Sequence, residues 1–159
     1  YLCITLSSNE SEIIDRANLL AEKCLGQKFN EEKLNHAEAV NLKVHGKVIV
    51  QALEDIDLVS GNKVEKQVGI PGWVMKDKAF QKKCLKGLFD TDGSFYKRSE
   101  DRYEIVYFKN KSKKLLEGFD DICSNLDIKT SSAGDDAIQV AAQKDVRKFV
   151  DEISPIKAN

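Results

Sequence analysis

The apolar positions of this 159-residue chain change period several times, and each change marks an element. Tyr1 to Ser8 alternates, as a short strand does. From Asn9, the residues Ile13, Ile14, Ala17, Leu20, Ala21, Cys24 and Leu25 recur in steps of three and four. They predict a helix closed by Gly26. Residues 27–45 read as two strands joined by a polar turn, and Lys47 to Leu58 as a helix built on Val48, Ile49, Leu53 and Ile56. Gly69-Ile70-Pro71-Gly72-Trp73 punctuates the chain as a linker. A helix is expected from about Lys78 through Phe80, Cys84, Leu85 and Leu88, then strands near 94–99 and 102–109. A helix from Ser112 carries Leu115, Leu116, Phe119, Ile122, Cys123 and Leu126. Strands near 128–132 and 137–142 lead to a last helix, 144–153, with Val146, Phe149, Val150 and Ile153.

This order contains a repeat. After the linker it runs helix, two strands, helix, two strands, helix; before the linker it runs strand, helix, two strands, helix. Ser11-Glu12-Ile13-Ile14 aligns with Lys113-Lys114-Leu115-Leu116, and Ala52-Leu53-Glu54-Asp55-Ile56 with Phe149-Val150-Asp151-Glu152-Ile153. Two copies are too few for a solenoid, so the expectation is a pseudo-twofold α+β domain. Residues 1–68 form its first, incomplete repeat, 69–77 a linker and 78–159 the second repeat. The first repeat lacks its opening helix and strand, so the chain is expected to begin inside it.

Composition narrows the class. With 42% hydrophobic and 32% charged residues, the chain reads as globular. No apolar run approaches the length of a membrane span, and no charged-then-apolar leader opens it. Cys3, Cys24, Cys84 and Cys123 form no C-x-x-C pair and sit among apolar residues. Buried, reduced thiols in an intracellular protein are expected. His36 and His45 are too isolated for a metal pair. The net charge of −1 does not advertise nucleic acid, but its distribution is uneven: −3 over residues 1–75 and +2 over 76–159. Lys97, Arg98, Arg102, Lys109, Lys111, Lys113 and Lys114 crowd one stretch, which fits either phosphate binding or a solvated surface.

The chemistry is concentrated in Leu85-Lys86-Gly87-Leu88-Phe89-Asp90-Thr91-Asp92-Gly93. A helix C-terminus carries partial negative charge, so acids in its last turn repel it. Two aspartates there, before a glycine suited to a left-handed cap, call for a divalent cation bound through hard oxygens. An EF-hand loop from Asp90 fails, because Phe95 stands where glycine is required. The plainer reading of Asp90 and Asp92 is a solvated turn. Trp73 reads as a core filler, and Lys76, Lys78, Lys82, Lys83 and Lys86 as a solvated helix face.

The nine-residue segment resembles the signature of the LAGLIDADG homing endonucleases, matching at Leu85, Gly87, Leu88, Asp90, Asp92 and Gly93. Ile70-Pro71-Gly72-Trp73-Val74 is similar to the entry that two-repeat members place before their second motif, and the element order matches the family's αββαββα unit. The resemblance implies curved antiparallel sheets carrying double-stranded DNA and site-specific, divalent-metal-dependent phosphodiester hydrolysis with Mg²⁺ or another divalent cation. It implies that Asp92 and the Gly93 carbonyl bind the metal, with Lys157 and Lys63 as the basic residues beside it. Lys66 is the alternative to Lys63. Asp90 takes the less critical acid position, as a cap or outer group. Cys84, Gly87 and Leu88 face a second motif helix, from a missing N-terminal segment, another chain or a homodimer mate.

DNA contacts are expected from Lys97, Arg98, Arg102, Lys109, Lys129, Thr130, Gln139 and Gln143, and from Thr5, Lys28, Lys43 and His45 in the first repeat. Ile105-Val106-Tyr107-Phe108 is apolar on both strand faces, which leaves the exposed face open. With a single motif in view, a non-cleaving DNA-binding protein on the same scaffold, regulator or maturase-like, stands as the alternative.

Overall fold

The computed structural model describes residues 1–35, 37–98 and 103–158. It divides into two compact units, Tyr1–Ser60 and Gly61–Asn159. The first unit runs β1 (Leu2–Ser7), α1 (Ser11–Leu25), β2 (Asn30–Lys33), β3 (Ala39–Val44) and α2 (Lys47–Glu54). Its antiparallel sheet has the order β1-β3-β2. Strand alternation buries Val40, Leu42 and Val44 of β3, and Ile13 and Ala21 of α1 are buried as well. Gly26, at φ 72°, ends α1 as expected, its N–H donating to the Glu22 carbonyl.

Helix α2 is shorter than its apolar pattern predicts. Leu58 N–H donates to Leu53 O and Asp57 N–H to Glu54 O, with Asp57 at φ 65°. That pair of bonds around a left-handed residue closes the helix four residues early. Ile56 is therefore outside it, and Val48 is 82% exposed. The cysteines also depart from expectation. All four are free, but Cys3 and Cys24 are exposed and only Cys123 is buried.

The second unit contains the complete αββαββα order. A short 3-10 turn, Val74–Lys76, leads into α3 (Lys78–Asp92), β4 (Gly93–Arg98), β5 (Tyr103–Lys109), α4 (Lys113–Asn125), β6 (Ser131–Ser132), β7 (Ala137–Val140) and α5 (Gln143–Ile153). A second 3-10 turn spans Ile156–Ala158. The sheet order is β4-β5-β7-β6, antiparallel throughout. Strand β6 is only two residues long. Asp127, at φ 53°, closes α4 as Asp57 closes α2, and Ile128 turns into the core before pairing begins.

The core joins Leu85 and Phe89 of α3, Val106 and Phe108 of β5, Leu116, Phe119 and Ile122 of α4, Val140 of β7 and Val146 and Phe149 of α5. Phe108 stacks on Phe119 at 4.4 Å between ring centroids. The segment expected as a linker packs with this unit. Val74 is buried, and Ile70 packs against the core beside Gly118 of α4. Among the described residues, no helix is long and apolar enough to cross a membrane.

Candidate functional site

Helix α3 sets the site. Asp77 caps its start, accepting from Ala79 N at 2.8 Å and Phe80 N at 3.0 Å. Gln81, Leu85 and Phe89, spaced by four, lie on its buried face. Its far end delivers Thr91, Asp92 and Gly93 at the start of β4. Gly93 does not take the left-handed conformation expected of it; its φ is −91° and ψ 165°, extended. The glycine is demanded by space instead. A Cβ there would stand 2.3 Å from Phe89 Cδ2 and 2.6 Å from Phe89 O. The turn from helix to strand closes directly over the Phe89 ring.

Three cationic or amide groups converge on this helix end. Lys63 Nζ lies 3.0 Å from Asp92 Oδ2, and Asn110 Nδ2 donates to the same oxygen at 2.9 Å. Lys157 Nζ donates to Gly93 O at 3.1 Å and Thr91 O at 3.2 Å. The bonds to Asp92 fall on Oδ2, leaving Oδ1 to accept another ligand. The Asp92 side chain is 35% exposed, so substrate can reach it.

Each partner is held by its own local device. Lys63 lies in a turn where Asn62 Oδ1 accepts from Val64 N and Val68 N–H donates to Lys63 O. Gln67 ties that turn to the start of α4, its Oε1 accepting from Lys113 N at 2.8 Å. Asn110 is 5% exposed, and its Oδ1 accepts from Ser112 N, so its amide can point only at Asp92. Asn110 escaped the sequence reading; the available signal was a polar residue between an apolar strand and a helix start.

Asp90 is an inner strut. It is 4% exposed, its Oδ1 accepts from Ile156 N at 2.7 Å, and Lys86 Nζ lies 3.4 Å from its Oδ2. Lys86 also donates to Ser154 O. The α3 acid and lysine thus grip the turn after α5 that carries Lys157. Of the groups expected to face another helix, Cys84 and Leu88 are half-buried against the unit's own core. Gly87 is exposed, and an added Cβ would meet nothing within 4 Å among the described residues.

The expected DNA contacts scatter. Gln139, in β7, shares a sheet face with Tyr107 and donates to Ser131 Oγ at 3.3 Å. Lys109 is exposed, 3.3 Å from Asp136. Lys97 lies over the Phe95 ring and 3.9 Å from Glu104. Lys129 is exposed between α4 and β6, and Thr130 donates to Asp120. Gln143 uses its side chain within the unit, donating to Glu104 O at 2.9 Å and accepting from Glu104 N. Arg102 and the Arg98 side chain lie outside the described residues, as does His36. In the first unit Thr5 donates to Asn41, Lys28 and Lys43 pair with Glu22 and Glu32, and the exposed His45 stands beside the Tyr1 ring.

As a cation site, this constellation offers one carboxylate and two backbone carbonyls. Among the described residues no cluster of three His, Cys, Asp or Glu side chains forms. The donor set suits Mg²⁺ or a similar hard ion that keeps several waters and takes further oxygens from a substrate phosphate.

Residues 79–154 match the family model of the LAGLIDADG-like domain, a span that includes Asp92 and Gly93. Three solved structures of the homing endonuclease I-DmoI share the fold. A set of mesophilic variants of that enzyme aligns at TM-score 0.60 and 19% identity, over 96% of this chain and 79% of that one. I-DmoI in complex with DNA and Mn aligns at 0.58 and 21% identity, over the same shares. A point variant of I-DmoI with its target DNA in the presence of Mn aligns at 0.62 and 19%, over 98% and 79%. At these identities the likeness is one of fold. No curated protein matches the sequence.

Proposed function

We propose that this chain, whose residues 79–154 match the LAGLIDADG-like domain, acts as a site-specific endonuclease on double-stranded DNA with a divalent cation. The observation that carries the reading is the convergence of Lys63, Asn110 and Lys157 on the Asp92–Gly93 corner. A cation bound by Asp92 and the Gly93 carbonyl supplies acidification of water and neutralisation of charge at the leaving oxygen. Asn110 holds the Asp92 carboxylate in one orientation. Lys63 and Lys157 bring positive charge to where a scissile phosphate gains negative charge. Asp90 supports Lys157 from beneath. A second motif helix, from an upstream segment or another chain, supplies the opposing acid.

The test is Mg²⁺-dependent cleavage of a duplex selected from a randomised library, with the second motif helix present. Asp92→Asn should abolish cutting and leave duplex affinity within about threefold, since one neutralised acid removes no phosphate contact. Undiminished cleavage by that variant overturns the reading.

A second reading rests on the same corner. Asp92 is already paired with Lys63 and accepts from Asn110, and a single carboxylate is a sparse site for a nuclease among the described residues. A DNA-binding protein that does not cut would show tight, salt-sensitive duplex binding that Asp92→Asn leaves unchanged, with no cleavage in any divalent ion.

A further inference from the structure

On the face of the second sheet that turns away from the helices, two neighbouring rows beyond Lys109 hold no charged residue. Alternation along β5 sends Val106 and Phe108 into the core, at 1% and 0% exposure. Ile105 and Tyr107 point the other way and belong to no part of that core. The cross-strand register builds rows on this face. One row out from the Lys109–Ala137 pair, Ser94, Tyr107 and Gln139 lie side by side; the next row pairs Tyr96 with Ile105. Tyr96 is 57% exposed and meets Tyr107 edge-on, 6.3 Å between ring centroids, so the two rings form one ridge. Neither row holds a Lys, Arg, Asp or Glu. The nearest charge is Lys109, one row closer to the site and paired with Asp136.

We propose that this face reads its target through thymine methyl groups and an adenine edge, so that the bound half-site is rich in A·T pairs beside the cut. The inference rests on the DNA-binding reading above and deepens it. The occupant follows from continuity. The face begins at Ser94, two residues after Asp92, and Tyr96 lies about 7 Å farther along the strand at about 3.3 Å per residue. A duplex with a phosphate at Asp92 therefore crosses these rows within a few base pairs. Guanine is read chiefly by Arg or Lys, adenine by the amide of Gln or Asn, and thymine by apolar contact with its methyl. The two rows provide the second and third kinds of reader and lack the first.

Duplexes selected from a random library by the full chain should be enriched in A·T pairs next to the cut. Replacing those thymines by deoxyuridine removes only the methyl, and should weaken binding about threefold per methyl in fluorescence anisotropy. In Ile105→Ala and Tyr107→Ala that loss should vanish, while the dependence of binding on salt stays as in the parent. Tyr96→Ala, at a surface position, repeats the test without touching the core. G·C-rich selected sites, or binding indifferent to deoxyuridine, overturn this inference and leave DNA binding standing. Failure of the chain to bind any duplex at low salt overturns both.

Discussion

Remove α3 and β4 from the second unit and the remaining sheet order, β5-β7-β6, has the antiparallel arrangement of β1-β3-β2 in the first. The helices correspond as well, α1 to α4 and α2 to α5. Burial does not correspond. Helix α4 buries six residues and α1 two; α5 buries four and α2 none. An amphipathic pattern only offers a face, and the face is buried where another element meets it. In the second unit α3 is that element, adding Leu85 and Phe89 to the core. The same helix ends in Asp90, Asp92 and Gly93, so the element that completes the core also makes the site.

The comparison breaks most sharply at the core. Phe119→Ala removes a ring with no exposure, stacked on Phe108, and should cost about 3–5 kcal/mol in the second unit's urea transition. Val48→Ala on α2, the helix with no buried residue, should stay within about 0.5 kcal/mol. Equal losses from the two would mean that α2 is as well packed as α4.

The two motif glycines form the next contrast. Gly93→Ala drives a methyl into Phe89 and should destabilise by about 1–3 kcal/mol or more, measured by thermal melting. Gly87→Ala has open space on the helix and should raise stability by up to about 1 kcal/mol. A loss at Gly87 in the full chain would reveal a helix packed against it.

Asp90 gives a smaller effect with a local readout. Asp90→Leu strands the Ile156 N–H and should cost about 1–3 kcal/mol, with faster hydrogen exchange at Ile156. Asp90→Asn keeps an acceptor and should preserve that protection. Unchanged exchange in the leucine variant would show that Asp90 does not hold the turn bearing Lys157.

The thiols provide the smallest contrast. Burial pushes Cys84 up to about 11 and raises Cys123 further. At pH 8, iodoacetamide should modify the exposed Cys3 and Cys24 well before either, by mass spectrometry. A thiol that ionises later when folded than when unfolded stabilises the fold less as pH rises. Above the ordinary value of 9.0, stability should therefore decline. Rapid labelling of Cys84 would show that α3 opens.

The sequence alone determined the elements and their order, because helices, strands and caps are local. The periods of α1, α3, α4 and α5, the strand pairs between them and the stop at Gly26 all depend on residues within a few positions of each other. The carboxylate at the end of α3 was legible for the same reason, since acids at a negative helix end conflict with their own neighbours. Where a local rule competed with packing, the sequence misled. Gly93 looked like a cap and is a space requirement, the α2 pattern ran past its closing turn, and Cys3 and Cys24 fell on exposed positions. Asn110 was legible only in the fold, and it is tertiary contact that brings Lys63, Asn110 and Lys157 to the Asp92–Gly93 corner. Lys63 stands 29 positions before Asp92 and Asn110 18 after it, and Lys157 meets Gly93 across 64. Tertiary contact also decided which side of Ile105–Phe108 faces outward. Such choices are settled where α3, α4 and α5 press on one face of the sheet, and no stretch of chain contains that contact within itself.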